Sequence, residues 1–289
     1  MRVVLTGASG LIGSRLAARL SARGDEIVAL GRERGWDPVA GPTPAELLAG
    51  ADAVVHLAGE NIAQRWSPAV KKRILESRAG GTANLLGGLA AAEPRPRVLV
   101  CANAVGYYGN RGEELLGESA APGADWLAAV CVAWQEAALR AEELGLRVCV
   151  LRTGVVLDRH GGALAKMLPA FKAGVGGPVA GGRQFMPWIH LDDLAQLYVA
   201  AIDDERYSGP VNAVAPEAVR NAEFSHALGR ALHRPALAPV PGIALRLLYG
   251  EMAQIVTDSQ NAAPRRLDEL GFAYAHPGLG EALADALSR

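Results

Sequence analysis

The chain opens on a short apolar run, Val3-Val4-Leu5, that breaks into Gly7, Gly10 and Gly13 and continues as Leu11, Ile12, Leu16 and Leu20 at helical spacing. This pattern predicts a buried strand, a tight turn and an amphipathic helix that stops near Gly24. Apolar runs at 26–31, 52–58, 97–101 and 146–151 predict further buried strands. Helical patterns lie between them, one opened by Ser67-Pro68 and striped by Val70, Ile74, Leu85 and Leu89, another over 125–145. A weaker, proline-bounded strand is expected at 35–41, where Trp36 and Asp37 either flank a base or pack the loop. Thr43-Pro44 reads as a helix cap and first-turn proline, and His56, in mid-strand, as a core imidazole. The alternation makes this an α/β chain with a doubly wound parallel sheet, the Rossmann arrangement.

Beyond Asp158 the pattern changes. Gly161, Gly162, Gly174, Gly176, Gly177, Gly181 and Gly182 surround one short helix at 163–172 and suit loops folded over a cleft. A strand at 185–190, a helix at 191–202 and a strand at 209–213 are expected to return to the sheet. Asp192 and Asp193 read as carboxylates capping that helix, Asn221 as the cap of the next, and a final helix starts at Leu279. The predicted division is a dinucleotide-binding domain over 1–158, with 186–214 returning to it. A smaller, mostly helical substrate lobe takes 159–185 and 215–289.

The glycines give the first turn its chemistry. In Gly-x-x-Gly-x-x-Gly, Gly7 permits the sharp turn, Gly10 admits a pyrophosphate close to the backbone, and Gly13 allows tight helix–sheet packing. Backbone around Ser9, Leu11 and Ile12 would then meet the phosphates at the helix N-terminus. Leu57-Ala58-Gly59, at the end of the strand expected at 52–58, forms a small-residue turn past which a ribose and diphosphate can run. Arg32 lies about 20 residues beyond Gly13, where the adenosine ribose is expected. An acid there would accept hydrogen bonds from both ribose hydroxyls, whereas the planar guanidinium suits a 2'-phosphate, so NADP is favoured over NAD. Arg34 adds a second positive charge, with Glu33 pointing away.

The 289 residues carry 29 Lys and Arg against 30 Asp and Glu, a formal net charge of -1. That balance argues against a general nucleic-acid or membrane-surface partner and leaves a small molecule. Cys101, Cys131 and Cys149 form no close pair, which fits buried thiols in a reducing, cytoplasmic setting better than a disulfide framework or a metal site. The short apolar start does not fit a signal peptide.

Several stretches together resemble an atypical, extended short-chain dehydrogenase/reductase family, NAD-dependent epimerase-like and sometimes labelled cell-division inhibitor. They are His56 to Ile62, Val105-Gly106-Tyr107-Tyr108-Gly109, Trp188 to Asp193, Asn221 to Phe224, and the C-terminal Pro239-Val240-Pro241, Gly250-Glu251-Met252 and Arg265-Arg266-Leu267. The resemblance implies an NADP-binding domain with a C-terminal substrate lobe and supplies no substrate. It also implies a tyrosine acid with a lysine four residues on and a partnering serine or threonine, and these are missing. No Tyr-x-x-x-Lys occurs anywhere in the chain, the aligned positions fall at Ala128 and Val132, and the serine's place reads Cys101-Ala102-Asn103. Two readings follow. In the first, an oxidoreductase uses Tyr107 or Tyr108 as a rebuilt acid, Asn103 to orient the substrate oxygen, and Lys71 or Lys72 to lower the phenol pKa. The second is a non-catalytic NADP(H)-binding sensor or regulator.

Overall fold

A computed structural model of the chain describes residues 1–32 and 35–288. Strand β1 (Arg2–Thr6) is buried at every position after Arg2, as a parallel strand covered on both faces must be. Helix α1 (Leu11–Ala22) presents Gly13, Leu16 and Leu20 to the sheet and leads to β2 (Glu26–Leu30). A short α2 (Ala45–Leu48) precedes β3 (Ala53–His56). The helix opened by Ser67, whose hydroxyl accepts the Val70 N–H, runs as α3 (Pro68–Leu75), a π-helical turn at 76–80 and α4 (Gly81–Ala91). Next come β4 (Val98–Ala104), a 3-10 turn at 105–108, β5 (Leu115–Leu116), α5 (Trp126–Leu139) and β6 (Arg147–Thr153).

The following stretch contains β7 (Val155–Leu157), α6 (Gly162–Lys172), β8 (Phe185–Met186), β9 (Trp188–His190), α7 (Leu191–Asp203) and β10 (Gly209–Ala213). The remainder is β11 (Val219–Arg220), α8 (Asn221–Ala231), α9 (Gly242–Tyr249), α10 (Gln254–Thr257), β12 (Asn261–Ala262), α11 (Arg265–Leu270) and α12 (Leu279–Ser288).

The main sheet has six parallel strands in the order β2-β1-β3-β4-β6-β10. The chain lays β2 on one side of β1 and then returns to lay β3 on the other. Strand order therefore reverses between β1 and β3, and the crevice outside their carboxyl ends is where such sheets bind ligands. The expected strand at 35–41 is absent. Gly35 takes φ +81, Trp36 turns its indole into the core and donates to the Gly41 carbonyl at 3.1 Å, and Pro38 has no N–H to give a ladder. So β2 forms the edge of the sheet.

Four local expectations are corrected. Pro44, not Thr43, occupies the N-cap of α2, with no side-chain capping bond. The 185–190 run splits into β8 and β9 around Pro187. At α7 the capping side chain is His190, which accepts the Asp192 N–H. Asp192 pairs instead with Arg15 at 2.9 Å, and the buried Asp193 accepts the backbone N–H groups of Ala275 and His276 at 2.7 and 3.0 Å. Asn221, finally, uses its Oδ1 to hold the Val179 N–H at 2.8 Å.

Leu164, Phe171, Trp188, Phe224, Leu228 and Leu283 pack into a cluster of their own beside the sheet. The C-terminal segment nonetheless grips the sheet: Leu267 belongs to the core under β1 and β6, and the Tyr274 hydroxyl donates to the Val214 carbonyl at 2.7 Å. Among the described residues no helix is long and apolar enough to cross a membrane.

Candidate functional site

The three glycines of the first turn do different work. Gly7 has φ +68, and a Cβ there would lie 3.0 Å from the Ala58 nitrogen. At Gly13 a Cβ would sit 2.2 Å from the Gly7 carbonyl oxygen, an overlap that backbone cannot relieve. Gly10 differs from both. Its backbone is ordinary and extended (φ -76, ψ 172), and the nearest atom to a Cβ is the Gly7 oxygen at 3.3 Å. Like Gly7 and Gly13 it lines a cavity, with an α1 N-terminus beside it that no side chain caps. The protein's own packing thus explains Gly7 and Gly13 but not Gly10.

A buried clamp sets the spacing of the two turns. Thr6 Oγ1 accepts the N–H groups of Leu57 and Ala58, both at 3.1 Å, and lies 2.8 Å from His56 Nδ1. With both lone pairs of the hydroxyl in use, its proton goes to Nδ1, so the ring is neutral and carries its hydrogen on Nε2. The core-imidazole reading of His56 therefore holds at Nδ1, whereas Nε2 finds no hydrogen-bond partner among the described residues. Burial lowers the His56 pKa from 6.5 to about 4. Because the folded value is depressed, the unfolded chain binds this proton first, and stability falls as pH drops from 6.5 to about 4. The loss levels off below that at roughly 3 kcal/mol. Urea unfolding at pH 7 and pH 4.5 is expected to show a smaller acid-dependent drop in His56→Gln than in the wild type; equal drops would place the acid lability elsewhere.

Two cavities meet at Gly7. The outer one, about 420 Å³, runs over Gly31, Arg32, Asp37, Gly59 and Ser77. The Arg32 side chain is 74% exposed, with its Nε 3.2 Å from Asp37 Oδ2, so most of its donor fork faces the opening. Arg34 and Glu33 lie outside the described residues. The π-helical turn shapes the far wall: Ser77 Oγ accepts the Glu60 N–H at 2.9 Å, and Arg78, packed over the Trp134 ring, donates to the Glu60 carbonyl at 3.0 Å. A short π segment of this kind often marks a functional site.

The inner cavity, about 430 Å³, is bordered by Leu57, Ile62, Val105, Leu127, Val155 and Met186, with Ile255 and Val256 closing it from the C-terminal part of the chain. Gly161 and Gly162 fold over the start of α1, where a Cβ on Gly161 would lie 2.9 Å from Leu11. The side chains able to hydrogen-bond along its lining are Thr153, Gln184, Asp258 and Gln260. Asp258 is the charged group among them. Half-buried behind α10, its carboxyl is pushed up to about 6 by desolvation and by the Asp125 charge, against an opposing pull from Arg246. Asp125 itself caps α5 by accepting the Ala128 N–H at 3.0 Å.

Residues 3–213 match the model of the NAD dependent epimerase/dehydratase family, and residues 240–286 match a domain of unknown function, DUF1731. The chain belongs to the NAD dependent epimerase/dehydratase family. It is similar to the epimerase family protein SDR39U1 homologue of Arabidopsis thaliana chloroplasts, 41% identical over 98% of this chain and 86% of that one. The crystal structure of human SDR39U1 (isoform 2) with NADPH superposes with a TM-score of 0.91 at 33% identity, covering 100% of both chains. A protein described as a nucleoside-diphosphate sugar epimerase from Corynebacterium glutamicum gives a TM-score of 0.81 at 36% identity, over 99% of this chain and 58% of that one.

In this epimerase-family chain the residues expected to do acid–base chemistry do not line the inner cavity. Asn103 is buried, its amide donating to the Cys131 carbonyl at 2.9 Å and its oxygen accepting the Ala104 N–H at 2.7 Å, so it ties β4 to α5. Tyr108 is fully buried, its hydroxyl 2.6 Å from Asn212 Oδ1 and 2.8 Å from Arg152 Nη1. Burial raises its pKa despite the arginine. These contacts correct both assignments: the polar atoms meant for substrate are spent inside the protein. Tyr107 is half-buried, its ring stacked edge-on against Tyr108, with the Arg152 guanidinium 3.6 Å from its centroid. The cation near the tyrosines is thus Arg152 of β6, not Lys71 or Lys72. Lys71 pairs with Glu251 and lies over the Trp126 ring, and Lys72 pairs with Glu76 at 3.6 Å.

Neither Arg183 nor His190 lines either cavity. His190 joins Asp192, His276 and Asp285 in a group whose ligand-capable atoms lie within 4.8 Å of one another, a juxtaposition that no spacing in the sequence announces. It is engaged internally, through Arg15 on Asp192 and the Asp192 N–H on His190 Nδ1. The three cysteines are free and buried, and burial pushes the Cys131 and Cys149 thiols up to about 12, which leaves them unreactive at neutral pH.

Proposed function

We propose that this epimerase-family chain binds NADP(H) and acts as an oxidoreductase on a small carbonyl or hydroxyl compound. The observation that carries the reading is one groove with two ends: Gly10 and an uncapped α1 N-terminus in the middle, Arg32 at the outer end and an apolar-walled cavity at the inner end. The open face of Gly10 and the free donor fork of Arg32 fit a dinucleotide diphosphate and a 2'-phosphate. When bound, the nicotinamide gives or takes a hydride at its C4. The chain's own residues do the rest: α1 and the 57–59 turn hold the diphosphate, Arg32 selects the phosphorylated ribose, and the walls of the inner cavity exclude water. The human relative crystallised with NADPH supports the choice of dinucleotide.

The second reading, a non-catalytic NADP(H)-binding regulator, is favoured by Ala128 and Val132 on α5, where the superfamily's acid pair would stand. Buried free thiols and the near-neutral charge also support a reducing compartment and a small-molecule partner. The deciding experiment is sequential. Fluorescence titration is expected to show micromolar or tighter NADPH binding, and the loaded protein is then expected to oxidise NADPH in the presence of a carbonyl panel. Binding without oxidation by any member would leave the regulator.

A further inference from the structure

We propose that the Asp258 carboxyl is the proton donor and acceptor for a substrate oxygen in the inner cavity, and that the substrate is an uncharged, largely apolar ketone, aldehyde or alcohol. This rests on the oxidoreductase reading above. Three observations carry it.

The first is charge. A nucleotide sugar brings a diphosphate whose binding calls for Arg or Lys forks, yet among the described residues the inner cavity is lined by no Lys, Arg or His, and its charged side chain is a carboxylate. Such a lining offers a second diphosphate no cation and accommodates apolar carbon.

The second is placement. The N-terminal turns of α5, where the superfamily's tyrosine would stand, offer Ala128 and Val132, and neither can exchange a proton. Asp258 comes up beside the same helix end, close enough for the charge of its cap, Asp125, to act on it.

The third is rigidity. The neighbour of Asp258, Ser259, is buried and held on three sides: its N–H donates to Asn110 Oδ1 at 3.1 Å, its hydroxyl to the Gly112 carbonyl at 2.6 Å, and its Oγ accepts the Phe185 N–H at 3.0 Å. One turn earlier Gln254 donates to Asp125 Oδ1 at 3.3 Å. The backbone that carries the Asp258 carboxyl is thus held between two anchors in the cavity wall, the support a positioned acid needs. The module of unknown function thereby gains a task, which is to deliver this group to a cavity lined mostly by residues of the epimerase-family part of the chain.

In the reducing direction the carbonyl carbon takes a hydride from the reduced dinucleotide and forms its C–H bond. The Asp258 O–H breaks as the substrate O–H forms, and the carboxylate left behind recovers its proton from water; alcohol oxidation runs the same exchange backwards. The charged groups acting on Asp258 are Asp125 and Arg246. Reduction should therefore slow as pH rises through about 6, and oxidation should quicken over the same range.

The test uses the full chain loaded with NADPH and offered aliphatic and aryl ketones and aldehydes, with UDP-glucose as the nucleotide-sugar probe. An apolar carbonyl is expected to oxidise NADPH, Asp258→Asn to lower that rate by about 100-fold or more, and NADPH affinity to stay within about twofold. Carbon-13 NMR of labelled Asp carboxyls is expected to show one signal with a midpoint near 6 that vanishes in Asp258→Asn. Full turnover in Asp258→Asn, loss of turnover in Tyr107→Phe instead, reaction with UDP-glucose alone, or titration of the Asp258 signal near 4 would each overturn the inference while leaving the cofactor reading intact. Failure to bind NADPH would overturn the parent reading, and binding with no reaction from either probe class would overturn both the enzyme assignment and this one.

Discussion

Gly10→Val is expected to abolish NADPH binding and leave the protein folded. The backbone of Gly10 is extended at φ -76 and ψ 172, a conformation that β-branched residues adopt readily. The nearest atom to a new Cβ is the Gly7 oxygen at 3.3 Å, so a shift of a few tenths of an ångström accommodates it. The two methyl groups then project into the space where a pyrophosphate would meet the α1 N-terminus. Far-UV circular dichroism should be unchanged and the melting temperature should move by less than about 4 °C, while the Kd for NADPH should rise by at least about 100-fold. Gly13→Ala is the contrasting variant. Its Cβ would sit 2.2 Å from the Gly7 oxygen, so it should lose stability along with affinity. If Gly10→Val binds NADPH normally, the diphosphate does not lie over this turn and the groove has been misassigned.

Arg32→Ala is expected to separate the two dinucleotides. The guanidinium stands at the end of β2, 74% exposed and restrained on one side by Asp37. That leaves its terminal nitrogens for a 2'-phosphate, and among the described residues no other Lys or Arg lines the outer cavity to replace it. A charge-assisted contact of this kind contributes about 1.5–3 kcal/mol, so NADPH affinity should fall by roughly 10- to 100-fold and NADH affinity by less than about twofold. Isothermal titration with both cofactors checks this, and raised salt should weaken NADPH more than NADH in the wild type. Equal losses in the variant would remove the structural basis for preferring NADP.

Much of the fold was legible because its signals are local. A continuous apolar run of four to seven residues reads as a parallel strand wherever it occurs, and β1, β3, β4 and β6 each carry one. The glycine turn was readable for the same reason at Gly13, whose requirement concerns the Gly7 and Ala8 backbone, whereas the close approach at Gly7 is to Leu57 and Ala58. The strand expected at 35–41 failed because the competing pull was tertiary: Trp36 buries its indole in the cluster that holds Leu48 and Leu85, and burial of so large an apolar surface is strongly favourable. The capping roles given to Asp193 and Asn221 failed similarly. Each is an ordinary helix-start residue by sequence, and each was taken by a chain segment that arrives from elsewhere, 275–276 in one case and Val179 in the other.

The acid–base residues show where the boundary falls. The motif Val105 to Gly109 correctly announced a tyrosine pair after β4, but a tyrosine's role depends on what its hydroxyl meets. The third dimension supplied Arg152 and Asn212 to Tyr108, leaving nothing over for a substrate. Asp258 gave a faint sign in advance, a polar run from Thr257 to Asn261 amid otherwise helical sequence, yet no spacing ties it to Gly7 or to Asp125. By itself the sequence determined most of the parallel strands and the glycine turn after β1, because each depends largely on residues close in the chain, and it singled out Arg32 as the expected 2'-phosphate contact. Tertiary structure alone decided which side chains face the inner cavity. A carboxyl's pKa and accessibility are set by neighbours in space, and here the charged ones are Arg246 on α9 and Asp125 at the cap of α5, the latter more than a hundred residues from Asp258 in the chain.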